Sequence, residues 1–317
     1  MVSPVPLDEI RAAQKRIVGL ALRTPLVRLN IEDAPADIYL KLENLQPIGS
    51  FKLRGAGNAM ALASKEQLAK GVYTASAGNM AQGVAWNARR LGIPCTVIVP
   101  DHAPETKLAA IKRLGGEIIK APFEEWWQVI VTHHYEGQEG LFIHPVSDPA
   151  VMAGNGTIGL EILEDLPDVD AVIVPYGGGG LSSGIASAIR ALKPDTRVYA
   201  AEVQTAAPFS ASLAAGAPQN IQYTPSFVDG IGSGGVLVEM WPLVSQLLAG
   251  SLVVSLAEVA AAVRLLVERN RVVAEGAGAT SVAAALAGKA GGGKVVCVVS
   301  GGNIDADKLA KILKGEI

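Results

Sequence analysis

The sequence has little charge, few aromatic residues and no long hydrophobic run. Only 18% of its 317 residues are charged and 5% are aromatic, and 27 basic side chains stand against 30 acidic ones. Without a basic stripe, a nucleic-acid partner is not expected. No run of about 18 apolar residues occurs, and the amino terminus lacks the basic-then-apolar layout of a signal peptide. We therefore expect neither a membrane span nor export.

Cysteine is also scarce. The chain has two, Cys95 in "IPCTVIV" and Cys297 in "KVVCVVS", and both lie in apolar, strand-like runs. Cysteines in such runs are typical of buried, reduced thiols rather than disulfides. This usage predicts a cytoplasmic protein.

Short β-branched runs alternate with longer segments rich in alanine and leucine. This alternation predicts an α/β protein whose mostly parallel sheet is covered by helices. Several of the runs end directly in glycine or small polar residues, which is where an open α/β sheet places its ligands. The predicted strands are DIYLKL, GVYTAS, CTVIVP, GEIIKA, GLFIHP, AVIVPY, RVYAAE and KVVCVVS.

A run of four glycines follows the strand AVIVPY and precedes a predicted helix, LSSGIASAIRAL. Converging backbone N–H groups at a helix amino terminus suit a phosphate, and a plain tight turn would need fewer glycines. The run matches neither common glycine motif for nucleotides in register. However, Glu202 ends the next strand about 20 residues on, where a dinucleotide fold keeps its ribose-binding acid. A nicotinamide-dependent oxidoreductase therefore remains an alternative here. The four residues are Gly177, Gly178, Gly179 and Gly180.

Two further clusters of small polar residues follow strands. In "ASAGNMAQG", Ser76, Gly78 and Asn79 offer donors at a helix amino terminus, a natural seat for a carboxylate or phenolate oxygen. The alternative is that Asn79 or Ser76 only caps the helix. In "SGGN", Ser300 offers a neutral hydroxyl to a ligand, or else caps a helix that begins near Asp305.

Lys52 in "GSFKLRGAG" is flanked by Phe51 and Leu53. Most lysines are solvated, but a desolvated lysine has a lowered pKa and can act as an imine-forming nucleophile. A lysine with apolar neighbours, a phosphate cradle, a carboxylate seat and a serine at a strand end together meet the needs of pyridoxal phosphate. The nicotinamide alternative leaves Lys52 and Ser300 unexplained.

Five stretches carry a family resemblance across nearly the whole chain. GSFKLRGA, SAGNMAQG, HPVSDPAVMAGNGTIGLEI, GGGGLSSG and SGGNID, between Thr24 and Asp305, resemble in order and approximate spacing the serine/threonine dehydratase and serine racemase group. The resemblance implies the tryptophan-synthase-β-like α/β fold of pyridoxal-phosphate enzymes, with two open, twisted, mostly parallel sheets flanked by helices. It also implies a homodimer. Each chain would have a large cofactor-binding domain of residues 1–70 plus 147–317 and a small mobile domain of residues 71–146.

The same resemblance implies a role for each matching residue. Lys52 would bind the cofactor covalently, Phe51 would pack beside its ring, Asn79 would bond the ring hydroxyl, and Ser300 would meet the pyridine nitrogen. The phosphate would be held by Gly177, Gly178, Gly179, Gly180 and Leu181. The substrate carboxylate would be received by Ser76, Ala77, Gly78, Asn79 and Met80.

The implied reaction is β-elimination and deamination of a β-hydroxy amino acid, with L-threonine and L-serine as the first candidates. Lys52, freed from the cofactor by the substrate amine, would remove the Cα proton, and the β-hydroxyl would leave. The products would be a 2-oxo acid and ammonia. Ser300 would not hold the pyridine nitrogen protonated as a carboxylate would, which favours prompt elimination.

The sequence departs from the group's pattern at four positions. Ala77 replaces a serine that serves the racemase as acid and base, so racemisation is not expected. Met80 replaces a histidine, and "APFEEWWQ" lacks a basic residue for a β-carboxylate, so phenylserine is preferred to hydroxyaspartate as a bulkier alternative; Met80 could equally fill core. Glu202 matches the first carboxylate of the group's cation site, but Pro208 stands at the second. A weak divalent-cation site is thus an open alternative.

Overall fold

The computed structural model describes residues 2–317 and contains two sheets, one of six strands and one of four. The strands are β1 (Leu26–Arg28), β2 (Asp37–Leu42), β3 (Val72–Ala75), β4 (Cys95–Pro100), β5 (Glu117–Ala121), β6 (Leu141–Phe142), β7 (Ala171–Pro175), β8 (Arg197–Val203), β9 (Gly250–Val254) and β10 (Lys294–Val299).

The six-stranded sheet has the order β1-β2-β10-β7-β8-β9, and the four-stranded sheet has the order β5-β4-β3-β6. Among the described residues, every neighbouring pair is parallel except β1 with β2. The central strand β7 is buried along its whole length, as expected for a parallel strand covered on both faces. The predicted fold class is confirmed, and all eight predicted strands form.

Helices cover both sheets. They are α1 (Leu7–Arg16), α2 (Lys52–Leu62), α3 (Lys65–Ala69), α4 (Asn79–Leu91), α5 (Glu105–Arg113), α6 (Phe123–Thr132), α7 (Pro149–Asp165), α8 (Gly180–Leu192), α9 (Pro208–Ala215), α10 (Trp241–Leu247), α11 (Leu256–Leu265), α12 (Gly276–Leu286) and α13 (Ala306–Lys314). None of the described helices combines the length and apolarity needed to cross a bilayer.

Helix α7 packs against both α2 and α8, and glycines allow the close approach. A Cβ atom at Gly154 would lie 2.5 Å from the carbonyl oxygen of Arg54, and one at Gly184 would lie 2.3 Å from that of Met152. Both distances are shorter than van der Waals contact permits, so only glycine fits. This tight packing fixes the position of α2, which begins at Lys52.

The two sheets use different parts of the chain. The four-stranded sheet is built from residues 72–142, and the six-stranded sheet takes its strands from either side of that segment. Cys95 lies in β4 and Cys297 in β10, both as buried free thiols, and burial raises the pKa of Cys95 to about 12. The proposed boundaries of the small domain at residues 71 and 146 stay a prediction.

Candidate active site

A cleft of about 380 Å³ gathers almost every residue that the sequence singled out. Strands β3, β7 and β10 end at Ala75, Pro175 and Val299, and the predicted ligand-binding segments follow directly. Parallel sheets place ligands at these carboxyl ends. The predicted residues that line the cleft are Phe51, Lys52, Ser76, Ala77, Gly78, Asn79, Met80, Gly177, Gly178, Gly179, Gly180, Leu181 and Ser300.

Lys52 is the first residue of α2, and its amine lies inside this cleft. The Nζ atom donates a hydrogen bond to the carbonyl oxygen of Pro145 at 2.9 Å and lies 5.2 Å from the centre of the Phe51 ring. Burial lowers the pKa of Lys52 to about 8, because the charged form loses its hydration. A fully solvated surface charge is therefore the wrong interpretation of this lysine, and about a tenth of the amine is neutral at pH 7, far more than for an ordinary lysine.

Three residues of the glycine run, Gly178, Gly179 and Gly180, leave no room for a side chain. Gly179 has a φ of +95°, in the left-handed region that favours glycine. A Cβ at Gly178 would lie 2.5 Å from Cγ2 of Val146, and one at Gly180 would lie 2.4 Å from the Val146 carbonyl oxygen. Helix α8 begins here, and the N–H groups of its first turn have no intrahelical partner. These features fit a phosphate group.

The segment Pro145–Val146 joins the lysine to the glycine run, because Pro145 accepts the Lys52 hydrogen bond and Val146 packs on the glycines. Ser300 is equally close, since its carbonyl oxygen accepts a hydrogen bond from the backbone N–H of Phe51 at 3.1 Å. Helix α13 begins at Ala306, directly after Asp305 at its N-cap. Ser300 is thus too far back in the chain to cap that helix, and the capping alternative is wrong.

Asn79 is the first residue of α4, and Gly78 occupies the N-cap position. Ser76 accepts a hydrogen bond from the N–H of Gly78 at 3.2 Å, so it stabilises the turn before the helix. Asn79 is not a cap. Its Nδ2 donates to Oε1 of Glu275 at 2.8 Å, and its Oδ1 accepts from Nδ2 of Asn303 at 2.8 Å.

Sequence reasoning missed Glu275, which also lines the cleft. Its side chain is buried, and burial together with the nearby charge of Asp229 raises the pKa of Glu275 to about 7. A Cβ at Gly301 would lie 2.4 Å from Oε1 of Glu275, so the glycine leaves room for the carboxyl. The signal that could have found it is "AEGAGA", a carboxyl directly before a glycine-rich helix start.

One side of the cleft, the apolar wall, is formed by Trp126, Trp127 and Ile130 of α6 together with Leu237. No arginine lines the cleft among the residues from Val2 onward. Met80 borders the cleft but is only 1% exposed, and it packs in the apolar core of the four-stranded sheet, as the alternative at this position foresaw. The charged side chains that line the cleft are Lys52, Lys107, Asp229 and Glu275.

Glu202 is the one predicted site residue that does not line the cleft. It is fully buried, and its carboxylate accepts hydrogen bonds from the N–H groups of Phe209 and Ser210, at 2.9 and 2.8 Å, and from the hydroxyl of Ser251. It therefore binds the amino terminus of α9. Because no oxygen of Glu202 faces the cleft, the ribose-binding role of the nicotinamide alternative is wrong.

Comparison with known proteins agrees with this site. The family model described as "Pyridoxal-phosphate dependent enzyme" matches residues 17–301. The chain belongs to this family. The L-threonine ammonia-lyase of Thermotoga maritima is 41% identical over 98% of this chain and 78% of its own length. The catabolic L-threonine dehydratase TdcB of Escherichia coli K12 is 39% identical over 98% and 96%. Maize serine racemase has a TM-score of 0.90 at 34% identity, covering 99% of this chain and 98% of its own.

As a pyridoxal-phosphate dependent enzyme, the chain has donors suited to each part of the cofactor. The side-chain-free turn at Gly177–Gly180 fits the phosphate, and the half-buried Lys52 amine with its lowered pKa fits the aldehyde carbon. Ser300 presents a neutral hydroxyl group at the end of β10. The fit rests on the shape of the cleft and the chemistry of these side chains.

Proposed function

We propose that this enzyme is an ammonia-lyase that eliminates the hydroxyl group and ammonia from L-threonine or L-serine to give a 2-oxo acid. The observation that carries the proposal is the half-buried amine of Lys52, which shares a cleft with the glycine turn and Ser300. Relatives named for threonine ammonia-lyase and threonine dehydratase support it, at 41% and 39% identity over nearly the whole chain.

We assign the binding roles as follows. Lys52 holds the cofactor covalently, and Phe51 packs against the ring. Asn79 donates to the ring oxygen, and Ser300 meets the ring nitrogen. Gly177, Gly178, Gly179, Gly180 and Leu181 hold the phosphate at the start of α8, and the stretch from Ser76 to Met80, including Ala77 and Gly78, receives the substrate carboxylate at the start of α4.

Pyridoxal phosphate, when bound, supplies the electron sink that makes the Cα proton of the substrate acidic. Lys52 accepts that proton, and its lowered pKa of about 8 makes the neutral amine more abundant than in a solvated lysine. The Pro145 carbonyl orients the amine. Ser300, being neutral, does not force a proton onto the ring nitrogen, which favours elimination over a long-lived carbanion.

A second candidate substrate is a β-hydroxy amino acid with a bulky apolar side chain, such as phenylserine. The apolar wall favours it, because four large apolar side chains can contact such a group. Among residues 2–317, no arginine lines the cleft to bind a β-carboxylate. Hydroxyaspartate is disfavoured for the same reason, and racemisation is disfavoured because Ala77 carries no exchangeable proton.

Oxo-acid release from threonine, serine, phenylserine and hydroxyaspartate tests the proposal. We expect threonine and serine to react, and Trp127→Ala to lower kcat/KM for phenylserine by about 10- to 100-fold, since a phenyl group then loses its apolar contact. Serine, which lacks the bulky group, should change by less than about threefold in the same variant.

The matched control is Trp86→Ala, because Trp86 lies outside the cleft and stacks on Arg90. It should affect every substrate alike. If no panel member yields oxo acid from the cofactor-loaded protein, the lyase proposal fails. If Trp127→Ala lowers kcat/KM equally for serine and phenylserine, the wall does not select the substrate.

We infer that Glu202 caps α9 rather than binding a divalent cation. Its two oxygens already accept three hydrogen bonds from protein groups, and Pro208, which begins α9, has no carboxylate to add. We therefore expect exhaustive chelation with EDTA to leave kcat and the melting temperature unchanged. A loss of either that Mg²⁺ or Ca²⁺ restores would place a cation here after all.

A homodimer and a cytoplasmic location are also proposed. Val18, Leu22 and Leu45 are apolar and highly exposed. The side chain of Gln46, the residue after Leu45, accepts a hydrogen bond from the Leu22 N–H at 2.9 Å, which keeps Leu22 close to Leu45. Such a patch supports a subunit contact. The two free cysteines lie in different sheets and cannot pair, which supports a reducing compartment.

A further inference from the structure

We infer that Glu275 is a positioning residue that holds the Asn79 side chain with an N–H group, rather than its carbonyl oxygen, free for the cofactor. The inference rests on the proposed function, in which Asn79 contacts the ring oxygen of pyridoxal phosphate. It assigns a task to a buried carboxyl that the reaction itself does not use.

The orientation of the Asn79 amide follows from a chain of hydrogen bonds. Asn303 donates through Nδ2 to the carbonyl oxygen of Ile48 at 2.9 Å, which can only accept. The same Nδ2 donates to Asn79, so the atom of Asn79 at that contact must be its oxygen. This contact alone points the Asn79 nitrogen away from Asn303.

Glu275 completes the constraint from the other end. An ionised carboxylate only accepts hydrogen bonds, so its contact with Asn79 at 2.8 Å requires the amide nitrogen there. With the Asn79 oxygen bound to Asn303 and one N–H bound to Glu275, one N–H remains for the cleft. A hydrogen-bond donor at this place stabilises an anionic ring oxygen, whereas a flipped amide would present a carbonyl oxygen and repel it.

The residues around Glu275 make space for its carboxyl group and partly balance its charge. Gly301 has no Cβ, which would otherwise lie 2.4 Å from Oε1 of Glu275. The charged groups that face Glu275 are Asp229, which raises its pKa, and Lys107 of α5, which lowers it. Lys107 donates to Asp229 at 2.9 Å, and Lys308 of α13 lies 3.7 Å from the same carboxylate. The net pKa of about 7 leaves Glu275 largely ionised at mildly alkaline pH.

The contact also joins the two sheets. Asn79 follows β3 of the four-stranded sheet, and Asn303 follows β10 of the six-stranded sheet. Glu275 precedes α12, and its backbone N–H donates to the carbonyl oxygen of Gly301, just after β10, at 3.0 Å. The hydrogen bonds from Asn79 therefore set the position of the start of α4 relative to the end of β10. Loss of Glu275 is expected to act on the cofactor through Asn79 rather than directly.

The test measures cofactor binding and its absorption spectrum rather than turnover alone. Glu275→Ala should weaken pyridoxal-phosphate binding to the apoprotein by about tenfold or more, since a charged hydrogen bond and the amide orientation are lost. The bound cofactor absorbs at different wavelengths when its ring oxygen is anionic and when it is protonated. In Glu275→Ala the band of the protonated form should grow, because the Asn79 N–H group is no longer held toward the anionic oxygen. Glu275→Gln, whose amide oxygen can still accept, should bind within about threefold of the wild type.

The matched control is Glu258→Ala, which removes a carboxylate that caps α11 away from the cleft. Its cofactor affinity and spectrum should not change. Asn79→Ala combined with Glu275→Ala should bind no more weakly than Asn79→Ala alone, because the two residues act as one unit. Where Glu275→Ala does not fold, Asn303→Ala removes the other constraint and should shift the bands in the same direction.

The inference is overturned if Glu275→Ala keeps the wild-type affinity and spectrum, if Glu275→Gln binds as weakly as Glu275→Ala, or if the losses in the double variant add. These outcomes are distinct from failure of the proposed function. That failure would show in the wild type, as a protein that forms no cofactor band or releases no oxo acid.

Discussion

Lys52→Ala is expected to abolish covalent attachment of pyridoxal phosphate and to lower the rate of oxo-acid release by roughly 10²- to 10⁴-fold. The loss is large because one amine performs two tasks: it holds the cofactor and it accepts the Cα proton. Among residues 2–317, the one other lysine that lines the cleft is Lys107, and its amine is already paired with Asp229. The measurements are the absorption spectrum of the reconstituted protein and kcat with threonine.

The control is Lys70→Ala, which removes an exposed lysine that pairs with Glu139 on the surface. It should leave both the spectrum and kcat unchanged. Lys52→Arg keeps a positive charge but cannot attach covalently, so it should fail as Lys52→Ala does. A Lys52→Ala protein that still shows the covalent band and turns over normally would move the reactive amine elsewhere.

The lowered pKa of Lys52 gives this site a pH dependence. The neutral amine is the nucleophile, and the amine loses its proton as pH rises through its folded pKa of about 8. The rate at which the apoprotein captures the cofactor should therefore rise through that range and level off above it. A rate that keeps rising to the ordinary lysine pKa of about 10.4 would show an undisturbed lysine.

Arg54→Met is expected to lower the free energy of unfolding by about 3–5 kcal/mol, since buried Glu43 loses its ion-pair partner and buried Glu161 keeps only Lys41. The Arg54 guanidinium is 1% exposed and binds Glu43 through two hydrogen bonds of 2.8 Å and Glu161 through bonds of 2.6 and 2.9 Å. Burial opposes the charge of Glu43, but Arg54, with help from Thr24 and Lys41, outweighs it and lowers the pKa of Glu43. Urea unfolding of the apoprotein measures the loss.

The ion pairs of Arg54 with Glu43 and Glu161 also help to fix the position of Lys52, because Arg54 lies two residues after Lys52 on α2. The control is Arg28→Met, which breaks a surface pair with Asp37 and should leave the urea midpoint nearly unchanged. Because the pKa of Glu43 is lowered on folding, its stabilisation is present at neutral pH. It is lost as pH falls through the folded pKa. Equal urea midpoints for Arg54→Met and the wild type would contradict the account.

Much of the fold could be predicted because parallel strands that are buried on both faces have a plain signature. KVVCVVS and AVIVPY are continuous β-branched runs, and both form central strands. Two strands were not predicted. β1 has three residues and pairs antiparallel at the edge, and β9 begins with glycine and serine, so neither shows the β-branched run of a central strand.

The site could be predicted where its chemistry lies in short segments. Lys52, the glycine run and Ser300 each sit in a motif of a few residues, and the ends of α2, β7 and β10 bring them together. Glu275 and Asn303 were not predicted because their function depends on partners far away in the chain. Glu202 was assigned to a ligand because its position relative to a strand says nothing of the α9 N–H groups that it binds.

The most direct test of the central claim is to reconstitute the protein with pyridoxal phosphate, reduce it with borohydride, digest it and locate the modified lysine by mass spectrometry. The account predicts that the cofactor is found on the peptide that contains Lys52, and that unreduced protein releases 2-oxo acid and ammonia from threonine. Modification of a different lysine, or none at all in a protein that holds the cofactor, would contradict it.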